Sequence, residues 1–269
     1  MRHALIVLNL FTLALAGGCA SDNASKSEGK ATADGWRHLP LITEGKIDPA
    51  WKHTGFGGFV VDNGVLRTEA VPEGLGLLVY SKEKFGDCQV RVVYRPKDGK
   101  SNSGVYIRLD DGIMDHMNDK VPAATRGAYG ALTPEGSKAM EEASDKELGA
   151  WYAVHHGFEV QIADNGDEWH RTGAVYSYAR AASVPMKPAG EWRTMLITLD
   201  GNLVNVDLDG QHVTTFDPAS KDIPPRKQWH EPRREHKRPQ AGYIGLQNHD
   251  PGDLVWFKEV SVRPLNRGR

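Results

Sequence analysis

One alternating stretch of this sequence decides the predicted fold: Gly157-Phe158-Glu159-Val160-Gln161-Ile162-Ala163-Asp164. Its apolar residues alternate with Glu159 and Gln161, as side chains do on the two faces of a β-strand. One face can therefore be buried, and the other presents a carboxylate next to an amide. A second carboxylate, Asp164, follows where the strand ends. We predict that the rest of the chain surrounds this polar face.

Three further segments, residues 103–110, 173–178 and 243–249, alternate in the same way. Their predicted apolar faces consist of Val105, Ile107, Leu109, Val175, Ile244 and Leu246. Their predicted polar faces consist of Tyr106, Arg108, Asp110, Tyr176, Tyr178, Gln247 and His249. Side by side in one sheet, these strands present side chains suited to sugar binding and acid–base catalysis. The alternative is the ordinary polar outer face of a β-sandwich. We favour a site, because a solvated face would carry more Lys, Thr and Ser.

The composition of the 269 residues limits the class of protein. A hydrophobic content of 39% with 25% charged residues is typical of a globular chain, and a net charge of -2 gives no argument for a nucleic-acid partner. Many short apolar runs are separated by turn signals, of which Asp62-Asn63-Gly64 is the strongest hairpin signal. This pattern predicts an all-β sandwich or barrel. With the four alternating strands, we predict a two-sheet, mainly antiparallel β-sandwich with Glu159, Gln161, Arg108, Tyr176 and Gln247 on one concave face.

The N-terminal segment has the pattern of a targeting signal. Residues 1–18 combine a short basic start with an apolar run that is too short to span a bilayer, and Cys19 follows directly after them. We predict a bacterial lipoprotein signal with lipidation of Cys19, against the alternative of an ordinary secretory signal. Residues 19–34 then form a flexible tether, and residues 35–269 form the folded domain. This predicts an exported protein that a lipid anchors in the cell envelope, in the periplasm or at the outer membrane.

Two segments interrupt the strand pattern. Residues 111–156 contain one predicted helix, with Thr133 as its N-cap, Pro134 at its first position and Gly149 as its C-terminal stop. So long an excursion between two alternating strands predicts a lid over the polar face. Residues 220–240 are rich in Pro and basic residues, and we interpret them as a solvated loop. Cys88, the one cysteine after Cys19, is predicted to be buried in a strand.

An ordered set of motifs resembles one family. They are Asn102-Ser103-Gly104-Val105-Tyr106-Ile107-Arg108, the stretch 157–164, Thr172-Gly173-Ala174-Val175-Tyr176, Lys187-Pro188-Ala189-Gly190-Glu191-Trp192, Gly245-Leu246-Gln247-Asn248-His249 and residues 260–265. Over about residues 36–265 the chain resembles the 3-keto-disaccharide hydrolase domain family. It departs from that family in the 111–156 insertion and at Cys88. The resemblance implies a concanavalin A-like jelly-roll sandwich that acts on glycosides oxidised to a ketone at sugar carbon 3.

That chemistry assigns tasks to residues. A C3 ketone acidifies the neighbouring C2–H, so a base can form an enolate that expels the C1 substituent, and water then adds back. Glu159, Asp164 and His249 are the candidate acids and bases, and Arg108 is the candidate oxyanion stabiliser. The alternative for Arg108 and Glu159 is a structural ion pair. The predicted substrate-binding residues are Tyr106, Gln161, Tyr176, Gln247, Trp151 and Trp169.

The sequence leaves two points open: whether the protein binds a metal ion, and whether it is an enzyme or a carbohydrate-binding protein. The oxygen-rich turn 164–168 would suit a hard cation such as calcium, but its spacing differs from an EF-hand loop, so we assign no metal site. His155 and His156 would face opposite sides of a strand, which argues against zinc. A non-catalytic carbohydrate-binding lipoprotein is the main alternative. A conventional β-glucanase is disfavoured because Gln161 stands where a second carboxylate would act.

Overall fold

The structure, a computed structural model, describes residues 31–128 and 130–265. The predicted signal, Cys19 and most of the predicted tether lie outside this part of the chain. The described residues form fifteen strands: β1 Arg37–His38, β2 Ile42–Thr43, β3 Lys46–Ile47, β4 Trp51–Gly55, β5 Gly58–Asp62, β6 Val65–Glu69, β7 Gly76–Phe85, β8 Cys88–Pro96, β9 Asn102–Leu109, β10 Phe158–Ala163, β11 Arg193–Asp200, β12 Leu203–Leu208, β13 Gln211–Phe216, β14 Gly242–Asn248 and β15 Val255–Pro264.

Two antiparallel sheets lie against each other, which confirms the predicted sandwich. The larger sheet has the order β13-β12-β11-β8-β15-β6-β5, with β1 paired to β15. The smaller sheet has the order β10-β9-β14-β7-β4, and β2 and β3 form a separate hairpin. The turn between β5 and β6 is the predicted one. Its residues Asn63 and Gly64 have φ of 51° and 78°, the left-handed values that a two-residue hairpin turn requires.

The main hydrophobic core lies between the two sheets. Alternate residues of β8, including Val90, Val92 and Tyr94, are fully buried and belong to one cluster with Val105 and Val160 of the smaller sheet. This period-two burial is what the alternating sequence predicts. Cys88 is buried in the same cluster, as predicted, and burial raises the pKa of its thiol to about 12. Its thiol is therefore protonated at neutral pH.

The 111–156 insertion covers the other face of the smaller sheet. It contains a short 3-10 helix, Asp111–Met114, and two α-helices, α1 Pro134–Asp145 and α2 Ala150–His156. Trp151 and Val154 of α2 are buried in a second hydrophobic cluster with Tyr106 and Leu109 of β9. The outer face of this sheet is therefore not solvated as a whole.

The predicted helix differs from the structure at its C-terminal end. Thr133 is its N-cap as predicted, and its hydroxyl accepts a hydrogen bond from the Gly136 amide at 3.0 Å. The helix ends at Asp145, however, and Gly149 is the N-cap of α2. No helix in the described residues is long and apolar enough to cross a membrane.

The predicted strand over residues 173–178 is wrong. Val175 makes only single bridges, to Val160 and to Ala179, and the surrounding residues form turns. Ser177 has a φ of 58°, so the strand alternation fails at this point. As a result Tyr176 and Tyr178 do not share a face: Tyr178 lies in the main core and Tyr176 lies on the opposite side of the sheet.

Candidate active site

A cavity of about 280 Å³ lies between the outer face of the smaller sheet, the insertion and the 220–240 loop. Its polar lining comes from the sheet side and includes Glu159, Gln161, Tyr176, Gln247 and His249. Its apolar wall includes Met140, Trp151, Val154 and Trp229. A concave site with an apolar wall and a few convergent polar groups is the usual form of a small-molecule site.

Glu159 is a buried carboxylate of this cavity whose pKa is raised. It lies on β10 directly opposite Tyr106 of β9, whose hydroxyl donates to Oε2 at 2.8 Å. Its other oxygen, Oε1, is buried without a hydrogen-bond partner among the described residues, and only 8% of the residue is exposed. Burial raises the pKa of Glu159 to about 7, although the Tyr106 hydrogen bond, the charge of His249 and Gln247 act to lower it. A carboxylate with such a pKa is suited to general-base work near neutral pH.

Gly104 makes room for this carboxylate. It lies two residues before Tyr106 on the same face of β9 and pairs with Gln161 of β10. A methyl group at Gly104 would lie 2.2 Å from Glu159 Oε1 and 2.7 Å from its Cγ. The absence of a side chain at residue 104 therefore allows the Glu159 carboxylate to fold down over β9.

Two amides accompany Glu159. The Gln247 amide nitrogen lies 3.4 Å from the Tyr106 hydroxyl, and its oxygen is buried without a partner among the described residues. The Gln161 oxygen accepts a hydrogen bond from the Ile162 amide at 3.2 Å. Both residues are nearly fully buried and line the cavity, so they can offer N–H donors to a bound molecule.

His249 lies beside two carboxylates at the edge of the cavity. It follows the end of β14, and its Nδ1 lies 3.4 Å from Asp253 Oδ2 and 3.7 Å from Asp250 Oδ2. Burial acts to lower the pKa of His249, but the carboxylates of Asp253, Asp250 and Glu159 outweigh this and raise it. These carboxylates therefore favour the protonated form of His249 relative to an ordinary histidine. Asp250 itself is paired with Arg126.

His230 is a further residue of the cavity, one that the sequence pattern did not predict as a site residue. This residue belongs to the 220–240 loop, interpreted from the sequence as solvated, yet it lines the cavity. Its Nδ1 lies 3.1 Å from the Tyr176 hydroxyl and its Nε2 lies 3.0 Å from the Gln228 side-chain oxygen. Burial lowers the pKa of His230, so the ring is biased toward the neutral form. The neighbouring Trp229 packs against Trp151 with ring centroids 5.3 Å apart. In the sequence, the adjacent aromatic residues Trp229 and His230 within an otherwise polar loop are the signal that could have indicated that this loop lines the cavity.

Arg108 does not line the cavity, so the geometry gives no support to its predicted role as oxyanion stabiliser. It has a φ of 54°, and the pairing of β9 with β14 shifts register opposite this point. Such a bulge places two consecutive side chains on one face. The Arg108 guanidinium is therefore directed toward the larger sheet, where it donates to the carbonyl of Gly201, and Leu109 lies on the cavity side instead. The alternative of an ion pair with Glu159 is wrong for the same reason.

Asp164 is also remote from the cavity. Arg193 Nη1 lies 2.8 Å from both Asp164 oxygens, and the Thr172 hydroxyl donates to Oδ1 at 2.8 Å. Because the chain leaves β10 after Ala163, Asp164 lines a separate cavity with Arg171. Asp164 is thus a structural ion-pair residue rather than an acid or base of the site.

Of the two predicted stacking tryptophans, only Trp151 lies in the wall of the cavity. Trp169 lies in the turn after β10, and the guanidinium of Arg180 sits 4.7 Å from its ring centroid. In the same turn the Asp167 carboxylate accepts a hydrogen bond from the Trp169 amide and lies 2.8 Å from His170 Nδ1. These local partners keep Trp169 in another cavity, beside Tyr178.

A cation could be held at the edge of the cavity by one group of ligands. Donor atoms of His249, Asp250 and Asp253 lie within 4.8 Å of one another. Arg126 already pairs with Asp250, and protonation of His249 would compete with a metal ion. The oxygen-rich turn 164–168, in contrast, does not bring its carboxylates together in this way among the described residues.

Comparison with known proteins supports one family. A family model described as the 3-keto-alpha-glucoside-1,2-lyase-like domain matches residues 25–263. No curated protein matches the sequence.

Solved structures show the same fold. A candidate glycosyl hydrolase from Parabacteroides distasonis is 22% identical over 86% of this chain and 99% of its own, with a TM-score of 0.55. A second candidate glycosyl hydrolase from the same organism is 18% identical over 87% of this chain and 95% of its own, with a TM-score of 0.57. A third candidate glycosyl hydrolase from this organism is 19% identical over 89% of this chain and 90% of its own, with a TM-score of 0.50.

Proposed function

We propose that this protein cleaves 3-keto-glycosides by elimination of the C1 substituent. The chain belongs to the 3-keto-alpha-glucoside-1,2-lyase-like family, whose model matches residues 25–263. The observation that carries the proposal is the buried Glu159 carboxyl, with a pKa near 7, in a cavity that also contains the imidazole of His249. An ordinary glycosidase needs two opposed carboxylates, whereas α-proton abstraction beside a ketone needs one base of near-neutral pKa.

In the first step Glu159 takes the C2 proton. The electron pair of the C2–H bond forms a C2=C3 double bond, and the ketone oxygen becomes an enolate oxygen. Because Arg108 is remote, neutral donors stabilise this charge: the amide of Gln247 and the hydroxyl of Tyr176, whose pKa burial raises. Neutral donors in a water-poor cavity are effective partners for a developing oxyanion.

In the second step the enolate re-forms the ketone, a C1=C2 double bond forms, and the C1–O bond breaks. The leaving oxygen needs a proton, and we assign its donation to His249, because the carboxylates beside this imidazole raise its pKa and Glu159 keeps the proton that it took from C2. Reversal with water completes a net hydrolysis. His249 takes a proton from the water that adds to C1, and Glu159 returns a proton to C2, so both residues regain their initial states.

One assay tests this function. The purified protein is incubated with a plain disaccharide and with its 3-keto form, and released monosaccharide is measured. We expect release of monosaccharide from the 3-keto form alone. The Glu159→Gln variant should lose this activity. The Glu168→Gln variant is the control and should keep it, because Glu168 is an exposed carboxylate on the remote turn. Saturable binding of both sugars without turnover would contradict the proposal and identify a carbohydrate-binding protein instead.

A substrate deuterated at C2 tests the mechanism. We expect slower cleavage of the deuterated substrate if proton removal limits the rate, and exchange of that hydrogen with solvent if the step is reversible. Cleavage of the plain glycoside with neither effect would indicate displacement at C1 and contradict the elimination.

We also propose that the protein is exported and anchored through a lipid on Cys19, on the sequence pattern of residues 1–19. Incorporation of labelled fatty acid into the wild-type protein, and its loss in Cys19→Ser, is the expected result. An unlabelled wild-type protein with a processed N-terminus would indicate an ordinary secretory signal.

A further inference from the structure

On the side of α2 that faces away from the cavity, three potential metal ligands converge. Glu147 lies in the loop before α2, His156 is the last residue of α2, and His236 belongs to the 220–240 loop. His156 Nε2 lies 2.8 Å from Glu147 Oε2, and His236 Nε2 lies 3.0 Å from Glu147 Oε1. We propose that Glu147, His156 and His236 form a binding site for zinc or a similar divalent transition-metal ion.

The chemistry of the set fits zinc. Two imidazoles and one carboxylate with water in the fourth position are a common zinc arrangement. The donor atoms lie within 4.8 Å of one another. Tetrahedral ligands at about 2.1 Å from a zinc ion are about 3.4 Å apart. The two imidazoles lie beside different oxygens of the Glu147 carboxylate, at 2.8 and 3.0 Å, so a small movement of the side chains would make room for an ion between them.

A second shell of hydrogen bonds independently supports a cation at this position. His156 Nδ1 lies 3.1 Å from Asp110 Oδ2, and the other oxygen of Asp110 accepts from the Tyr152 hydroxyl at 2.8 Å. The ring of Tyr152 lies parallel to His156 with centroids 3.9 Å apart. A histidine ligand of a metal ion typically donates its other N–H to a carboxylate in this way.

In the His156 tautomer that donates Nδ1–H to Asp110, an unfavourable contact arises that a cation relieves. With its proton on Nδ1, a neutral His156 directs the lone pair of Nε2 at the Glu147 carboxylate, 2.8 Å away. Two acceptors at this distance repel unless a positive charge, either a proton or a metal ion, lies between them. Arg233 holds Glu147 Oε1 at 2.8 Å and so orients the carboxylate toward the rings.

Access and position distinguish this site from the proposed catalytic cavity. The side chains of His156, Glu147 and His236 are 13%, 18% and 28% exposed, so an ion and a water ligand can enter. The site joins the insertion to the 220–240 loop, the two segments that contribute Trp151 and Trp229 to the cavity wall. The bound ion would therefore stabilise that wall and take no part in the chemistry, and the inference does not depend on the proposed function.

Metal titration of the full chain tests the proposal. After treatment with a chelator, the protein is titrated with Zn²⁺ against a chromophoric competitor and with Co²⁺ by visible absorption. We expect one tight equivalent, a Co²⁺ absorption band typical of low coordination number, and a higher melting temperature with Zn²⁺. No saturable binding of either ion, with only an imidazolium–carboxylate pair present, would overturn the proposal.

Variants locate the ion. We expect His156→Gln and Glu147→Gln each to weaken Zn²⁺ binding at least a hundredfold, and Asp110→Asn, which leaves all three ligands in place, to weaken it about ten- to a hundredfold. His212→Gln, a surface histidine paired with Asp207, is the matched control and should bind normally. Melting curves of the metal-free variants show whether each one folds. Undiminished binding in His156→Gln and Glu147→Gln, or a loss confined to Asp253→Asn, would place the ion elsewhere and overturn the proposal.

Discussion

The Tyr106 hydroxyl and the Glu159 carboxylate face each other across two paired strands, with the hydroxyl 2.8 Å from Oε2. Both residues lie on the face of the smaller sheet that is turned away from the main core. The Tyr106 hydrogen bond, together with His249 and Gln247, only partly compensates the burial of the Glu159 carboxylate, so the pKa of Glu159 stays well above that of an ordinary glutamate. We therefore expect this pair to influence how both stability and activity depend on pH.

The Glu159 carboxylate should destabilise the fold at high pH. Its folded pKa of about 7 exceeds its ordinary value of 4.5, so the native state binds more protons than the unfolded state between these values. Stability falls as pH rises through this range, by on the order of 3 kcal/mol in all. We expect Glu159→Gln to unfold at higher denaturant concentration than wild type at pH 8 and at a similar one at pH 4. Equal midpoints at pH 8 would contradict the raised pKa.

Tyr106→Phe should shift the acidic limb of activity. The Tyr106 hydrogen bond lowers the pKa of Glu159, so its removal raises that pKa further. Because the base acts in its ionised form, we expect the acidic limb of kcat/KM, near pH 7 in wild type, to move to higher pH. Activity should be reduced most below pH 7 and recover above it. A uniform loss at all pH values would indicate instead that Tyr106 contacts the substrate directly.

Arg108→Lys should affect stability and leave the chemical step nearly unchanged. The guanidinium is buried beside the larger sheet and donates to the Gly201 carbonyl. Loss of such a charged hydrogen bond typically costs about 1.5–3 kcal/mol. We expect a lower melting temperature with kcat within a fewfold of wild type, measured below the transition. The exposed Arg180→Lys is the control. A drop in kcat of a hundredfold in folded Arg108→Lys would restore the oxyanion role.

His249→Gln should have an effect that depends on the leaving group. If His249 protonates the leaving oxygen, its removal should slow an alkyl 3-keto-glycoside by about a hundredfold or more. An aryl 3-keto-glycoside, whose leaving group needs no proton, should be slowed far less. The ratio of the two kcat values in wild type and variant is the measurement. Equal losses on both substrates would assign His249 to binding or to the enolate oxygen.

Local sequence determined much of this fold. The alternation of residues 157–164 is strand β10, and Asp62-Asn63-Gly64 is a hairpin turn because its backbone needs left-handed torsions that Asn and Gly tolerate. Thr133 caps a helix because its hydroxyl reaches an amide three residues away. In each case the determining contacts lie within a few residues, so local sequence suffices to predict them. The ordered motifs likewise identified the family.

Only the tertiary structure decided which side chains meet. Arg108 leaves the site because the pairing of β9 with the distant β14 shifts register, and one residue of bulge reverses the face of every side chain after it. His230 enters the site because a loop more than fifty residues further along returns to Tyr176. The strand pattern predicted a polar face, but the direction of each side chain depends on single backbone torsions that long-range pairing imposes. Periodicity in the sequence contains no information about those torsions.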